Sequence, residues 1–246
     1  VLALSASLLV GCSSGTASSV PVSASSAAES TVSSGEETAS SAVDENEAAA
    51  AQLLNDLTGS YQELWPVILA DEYKQTWLDD CTALVGEDNA EAAFEKLSSM
   101  VTGDVYGEDA VKAYANGGGA YFCGFTNSLA ILTFDGETST ISGTDKDGNV
   151  LFSHTYHYIG MEPVRGLYEF QSDDADSGEF TYFFLAPDTS AETYHIEFRY
   201  GSDAEALSQY DTGEYAYWLA SGISTDCDQT MIDNCIELFC TENLAG

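Results

Sequence analysis

Apolar residues along the chain pass through distinct regimes of spacing, and each regime predicts a different element. From 48 to 69, Leu53, Leu54, Leu57, Tyr61, Leu64 and Trp65 recur at intervals of three and four. That is the period of a helix with one buried face, and Gly59 and Pro66 are expected to break it into pieces. A second helical stretch is predicted over 71–85, with Tyr73, Trp77 and Leu78 on one side, a third over 89–100, and a turn or two over 109–114. The three glycines at 117–119 end helical patterning. Alternating, Phe-, Tyr-, Ile-, Val- and Thr-rich segments follow at 120–125, 128–134, 138–144, 150–158, 166–171, 180–185 and 194–200. Turn signals separate them at Asp135 and Gly136, at Asp147, Gly148 and Asn149, and at Asp176, Ser177 and Gly178, so all read as short strands. Strands of this length and spacing predict an up-and-down barrel or a sandwich. A last helix is expected from Asp226 to Phe239, with Thr225 and Asp228 as a capping box and Met231, Ile232, Cys235, Ile236 and Phe239 as its apolar face.

The amino-terminal 47 residues fit none of these periods. The run VLALSASLLVG has the character of a signal-peptide apolar region and is too short to span a bilayer as a stable helix. It lacks the positively charged flank, so the sequence is read as starting inside the signal peptide. Leu9, Val10, Gly11 and Cys12 resemble the lipobox of bacterial lipoproteins, in which the cysteine is lipidated and becomes the new amino terminus. Residues 13–47 are dominated by Ser, Ala, Thr, Val, Gly and Glu, with no aromatic side chain. Such a segment cannot bury enough apolar surface to offset its ordering entropy, and it is expected to be a disordered tether. The organisation read from sequence is therefore 1–12 truncated signal peptide, 13–47 tether and 48–246 folded domain. It places the protein outside the cytoplasm, lipid-anchored to the bacterial cell membrane.

Charge narrows the partners. The 246 residues carry 41 acidic and 6 basic side chains, a formal net charge of −35. The basic residues, Lys74, Lys96, Lys112, Lys146, Arg165 and Arg199, are scattered singly, which excludes a nucleic-acid partner because phosphate binding needs clustered cations. The same charge would repel an anionic membrane, so membrane attachment is expected through the lipid anchor only. Five cysteines follow Cys12: Cys81, Cys123, Cys227, Cys235 and Cys240. An exported protein favours disulfides over free thiols. Cys227 and Cys235, if on one helix, lie about 12 Å apart along its axis and cannot bridge each other, which favours pairs joining Cys81 or Cys123 to the last helix. No Cys-x-x-Cys spacing supports thiolate ligation of a metal. Asp145 to Asn149 lacks the further acidic positions of a calcium loop and reads as a hairpin turn. No nucleophile elbow, P-loop or assembled catalytic set is present, and the chain is read as a non-enzyme.

Several segments, in order, resemble the ZinT family of extracytoplasmic zinc-binding domains, which is also found fused to zinc-uptake binding proteins. They are LTGSYQELWPVIL at 57–69, VRGLYEF at 164–170, Ala186 and Pro187 followed by HIEFRYGSD at 195–203, then EYAYW at 214–218. The resemblance covers roughly 53–239. It implies a mainly β, lipocalin-like antiparallel barrel with helices on its amino-terminal side and a carboxy-terminal helix. It also implies binding of Zn²⁺ or Cd²⁺ at the barrel mouth by three histidines, one before an Ala-Pro turn and two in a His-x-His strand after it.

This chain departs from that set. The first position reads Phe183, and the His-x-His reads His195, Ile196, Glu197 when Gly201, Ser202 and Asp203 set the register. That register places Tyr194, Ile196, Phe198 and Tyr200 on one strand face and His195, Glu197 and Arg199 on the other. A match through Thr193, Tyr194 and His195 would need two extra residues inside the strand. Imidazole and carboxylate both ligate zinc, so the expected metal site is His195 and Glu197, with His154 or His157 as third ligand. His154 and His157, three apart on a strand, face opposite sides, so at most one can join. The function expected from sequence is capture of Zn²⁺ or Cd²⁺ for storage or for delivery to a zinc ABC-transport system. The alternative is a degenerate lipocalin-like module that holds a small organic ligand or a protein partner without metal, with Phe183, Tyr215, Tyr217 and Trp218 lining the contact.

Overall fold

The computed structural model describes residues 35–245; Cys12 and the first part of the tether lie outside them. The first helix, α1 (Gly35–Asp56), begins inside the stretch read as tether. Its carboxy-terminal residues Ala50, Leu53 and Leu54, with Leu57 just beyond it, are buried against the barrel.

The helical spacing of 48–69 does not carry through. Gly59, at φ +146°, turns the chain out of α1, and Gly59–Glu63 becomes strand β1. Tyr61 there pairs with Leu132 on one side and Ser224 on the other. Positions 57, 61, 64 and 65 suit a helix by spacing, but β1 is the strand that closes the barrel, and its two ladders outweigh local propensity. Helices α2 (Leu64–Ile68), α3 (Lys74–Val85), α4 (Glu87–Ser99) and α5 (Glu108–Ala115) follow. Strands β2 (Ile131–Asp135), β3 (Thr140–Thr144), β4 (Val150–Met161), β5 (Tyr168–Ser172), β6 (Tyr182–Leu185), β7 (Ile196–Gly201) and β8 (Ala220–Ser224) complete a closed antiparallel meander, β8 returning to β1. Two short helices, α6 (Ser190–Thr193) and α7 (Ala204–Leu207), flank β7, and α8 (Gln229–Leu244) ends the fold. The lipocalin-like antiparallel barrel expected from the sequence is the architecture found. Among the described residues, no helix is long and apolar enough to cross a membrane.

Three local readings are corrected. The segment 120–125 is not a ladder strand; it runs beside 217–221 through a single parallel bridge, Phe122 to Trp218. Strand β8, Ala-Ser-Gly-Ile-Ser, escapes a search for β-branched and aromatic runs because small residues fill it. Helix α8 starts at Gln229 with Asp228 as its cap, the carboxylate accepting from Met231 N at 2.9 Å, while Thr225 N instead donates to Ser60 O. The β3–β4 turn is the hairpin turn expected: Asp145 accepts from Asp147 N, Asn149 N and Asn149 Nδ2 at 2.8–2.9 Å, and those bonds hold its carboxyl below the usual range.

The barrel interior is filled. Phe134, Phe152, Tyr156, Phe170, Phe183, Phe198, Tyr200 and Trp218 all belong to one buried cluster. Phe183 sits between Phe152, Tyr156, Phe198 and Tyr200, with ring centroids 5.3–6.4 Å away. A second cluster lies outside the barrel wall, where α2, α3, α4 and α8 pack around Leu64, Ile68, Trp77, Leu97, Ile223, Ile232 and Ile236. Strand β8 therefore has one core on each side, Ala220 in the inner cluster and Ile223 in the outer one. Truncation of Phe183 to Ala removes a ring from the inner core and leaves a cavity, and should cost about 3–5 kcal/mol. A guanidinium-chloride melt measures this; a midpoint equal to wild type would mean that the interior is hollow.

Candidate functional site

Two faces of β7 decide where chemistry can occur. Ile196, Phe198 and Tyr200 point into the barrel cluster, so His195, Glu197 and Arg199 point outward. The alternation predicted from the sequence holds from Ile196 to Tyr200, but Tyr194, left-handed ahead of the strand, packs against the outer cluster instead of the inner one, and the polar row is on the outer wall rather than at the barrel mouth. The inner row is too apolar, and too closely packed with Phe183, to exchange places with it.

Arg199 is fully buried on that outer row. Its Nη1 donates to the carbonyls of Leu207 and Gln209, and its Nη2 to those of Gln209 and Tyr215. The Tyr210 ring lies between Arg199 and Arg165, 4.4 Å from each guanidinium carbon. Burial pulls the Arg199 guanidinium down to about 10, the Tyr210 side chain opposing that shift. Arg199 thus clamps the 207–215 segment onto the wall. It is structural, and it is not part of an open site.

His195 and Glu197 lie at the other end of the row. His195 Nδ1 is 2.7 Å from Thr193 O. A carbonyl only accepts, so the Nδ1–H is committed to Thr193 and Nε2 is the ring atom left to face the recess. That Nε2 is 4.0 Å from Glu197 Oε1. The turn holding this arrangement is built locally. Thr189 and Glu192 form a capping box at the start of α6, and Tyr194, at φ +67°, ends the helix in the left-handed conformation, so that His195 enters β7 beside Thr193.

Helix α8 supplies the opposite wall. Glu242 and Leu238 share one recess with Ala186, Asp188, Thr193, His195 and Glu197. A deeper cavity of about 80 Å³ continues behind it. It is bounded by Leu64, Trp65, Ile68, Phe239, Cys123 and Cys235, and Arg165 reaches its rim. That volume holds a few waters. Cys235 Sγ lies 3.9 Å from His195 Nδ1. Trp65 Nε1 is buried with no hydrogen-bond partner. Burial pushes the Asp188 and Glu242 carboxyls above their usual range. Glu192 raises Asp188 further, Glu197 and Asp188 raise Glu242 further, and His195 opposes both shifts. Asp188, Glu242 and Cys235 were not singled out from the sequence. In so acidic a chain a carboxylate carries little information; the turn between β6 and α6 brings Asp188 to the histidine, and the seating of α8 brings Glu242 and Cys235.

His154 and His157 are elsewhere. His154 Nδ1 is 2.7 Å from Asp174 Oδ2, and His157 Nδ1 is 2.6 Å from Asp173 Oδ1. Register fixes their level: His157 pairs with Gln171, Gln171 with Tyr182, and Tyr182 with Gly201. Gly201 is the far end of β7, six residues from His195, or about 20 Å along the strand. Neither histidine completes the expected ligand set, and Phe183 is locked in the aromatic core. Among the described residues, no group of three or more His, Cys, Asp or Glu is gathered as a metal cage. The aromatic residues expected to line an open mouth are also committed to packing. Trp218 and Tyr215 belong to the barrel cluster, and Tyr217 stacks on Tyr114 with centroids 3.8 Å apart.

No protein-family model matches the chain, and no curated protein matches it. Among solved structures, it is similar to the Zn(II)-bound ZinT-like domain of AdcA from Streptococcus pneumoniae, at 15% identity and a TM-score of 0.47, over 75% of this chain and 89% of that one. It is also similar to Zn(II)-bound AdcA from the same organism, at 15% identity and a TM-score of 0.44, over 74% of this chain and 34% of that one.

The raised carboxyls make the recess sensitive to pH. The folded state holds these protons more tightly than the unfolded chain does. Their contribution to stability is therefore full below about pH 4, near the unfolded carboxylate values, and is lost as pH rises through the raised folded values. Asp188→Asn should melt above wild type at about pH 7, with the gap closing toward about pH 4. A thermal melt at both pH values checks this; a gap that does not change with pH would show that Asp188 is free in solvent.

Proposed function

We propose that this domain captures a divalent cation, Zn²⁺ by the chemistry of its donors, in the recess between the outer face of β7 and α8. The observation carrying the reading is the orientation of His195. Its Nδ1–H is spent on Thr193 O, which leaves Nε2 as the ligating atom, facing the Glu197 carboxylate at 4.0 Å. A backbone carbonyl orienting the far nitrogen is the outer-shell bond that ligating histidines use. Two donors on one tetrahedral Zn²⁺ stand about 3.4 Å apart, so His195 and Glu197 need to close by less than about 1 Å. Glu242 and water would complete the shell, with Asp188 adding charge. A cation would also offset the desolvation and the neighbouring Glu197 and Asp188 charges that raise Glu242. The ZinT-like segments around the Ala186–Pro187 turn and HIEFRYGSD give the same strand a metal role. Storage of the ion, or its delivery to an uptake system, is the use such a site would serve.

A second reading has its own observation. The buried, unpaired Trp65 Nε1 and the apolar wall of Leu64, Ile68 and Phe239 suit a small organic ligand with a hydrogen-bond acceptor. Such a ligand would bind regardless of His195.

Calorimetric titration of the domain with Zn²⁺ at about pH 7 separates the two readings. Wild type should bind one ion. His195→Ala and Glu197→Gln should each weaken binding by about tenfold or more, the loss typical of disturbing a metal site. His154→Ala and His157→Ala should titrate as wild type. Unaltered binding by His195→Ala, or no heat from wild type, would rule out this site.

A further inference from the structure

Away from the recess, two buried thiols meet across a helix pair. Cys81 lies on α3 and Cys240 on α8, both fully buried in the outer cluster. Their sulfurs are 3.9 Å apart. Two of the other described cysteines face different partners: Cys123 Sγ is 3.8 Å from Tyr121 O, and Cys235 faces His195. The helices carrying the pair pack directly on each other. Trp77, one turn before Cys81, and Phe239, next to Cys240, lie edge to face at 6.0 Å and fix the approach.

We propose that Cys81 and Cys240 are a disulfide-forming pair that ties the amino-terminal helices to α8, and so to the lid of the β7 recess. Bringing the sulfurs to bonding distance, about 2.05 Å, needs a closure of roughly 2 Å, within reach of side-chain rotation on two packed helices. The oxidant is a disulfide compound, such as oxidised glutathione or an oxidised dithiol protein. The thiolate of one cysteine attacks it and expels one thiol. The second cysteine then attacks the mixed disulfide and expels the other. Two S–H bonds and the oxidant's S–S bond break, one protein S–S bond forms, and both protons and both electrons leave with the two reduced thiols. Burial raises both thiols above their usual range, so the thiolate is scarce once α8 is docked. The bond therefore forms as the chain folds, and afterwards it is shielded from reductant. It closes a loop spanning most of the folded domain, the case in which constraint of the unfolded chain is greatest.

The test is refolding of the whole chain with a glutathione redox pair, followed by alkylation under denaturing conditions and peptide mapping without reductant. The expected result is a linked peptide carrying Cys81 and Cys240, an intact mass lighter by two hydrogens, and alkylation of Cys12, Cys123, Cys227 and Cys235. Reduction of the denatured protein, followed by refolding under reductant, should lower its melting temperature by on the order of 5–10 °C. The Cys81→Ala, Cys240→Ala double variant should melt alike in both conditions. The mapping uses the wild-type chain, so it does not depend on either variant folding. Alkylation of Cys81 and Cys240 in the oxidised sample, or a linked peptide joining any other pair, would overturn the assignment.

Discussion

The alternation of side chains along β7 is the constraint on which the rest of the site depends. A strand has two faces and a period of two, so burying Ile196, Phe198 and Tyr200 in the barrel forces His195, Glu197 and Arg199 through the wall. A one-residue slip would put an imidazole, a carboxylate and a guanidinium among the aromatic rings that the other strands send into the barrel. Arg199 makes that slip still more costly, because its outward guanidinium satisfies the carbonyls of Leu207, Gln209 and Tyr215 from a fully buried position. The clamp at one end of the row and the recess at the other follow from one register.

That register separates this barrel from a ligand-holding one. Interiors of small barrels are either filled by side chains or hold a small ligand. Here Phe183, Phe152, Phe198 and Tyr200 stack on one another and fill the space. Available volume moves outside the wall, to the junction of β7, β8, α2 and α8. Both the cation reading and the organic-ligand reading therefore depend on how α8 is seated, and the Cys81–Cys240 contact bears on the same seating from the opposite side of the helix layer.

Much of the fold was legible from the sequence, and the failures have physical causes. Strands β2 to β7 announce themselves through Phe, Tyr, Ile and Thr separated by Asp- and Gly-containing turns. The two strands that close the barrel do not. Strand β1 hides in a helical period shared by Leu57, Tyr61 and Leu64, and β8 is made of small residues whose partners, not their own preferences, make them extended. The two faces of β7 were also legible, but which of them is inside was not. An exposed strand labels its outer face with polar residues; β7 is covered on both sides, and its buried Arg199 gives no warning of direction. His154 and His157 lie on β4 as read and His195 immediately precedes β7, yet the offset of about 20 Å along the strand between the levels of His157 and His195 comes from barrel register, which spacing along one strand does not encode. Asp188, Glu242 and Cys235 join the recess only through tertiary contact.

The most direct measurement is anomalous X-ray diffraction at the zinc edge from crystals of the domain grown with Zn²⁺. The account places a single anomalous peak outside the barrel, between β7 and α8, within coordinating distance of His195 Nε2 and Glu197. A peak inside the barrel beside Phe183, a peak at His154 or His157, or no peak at all would contradict it.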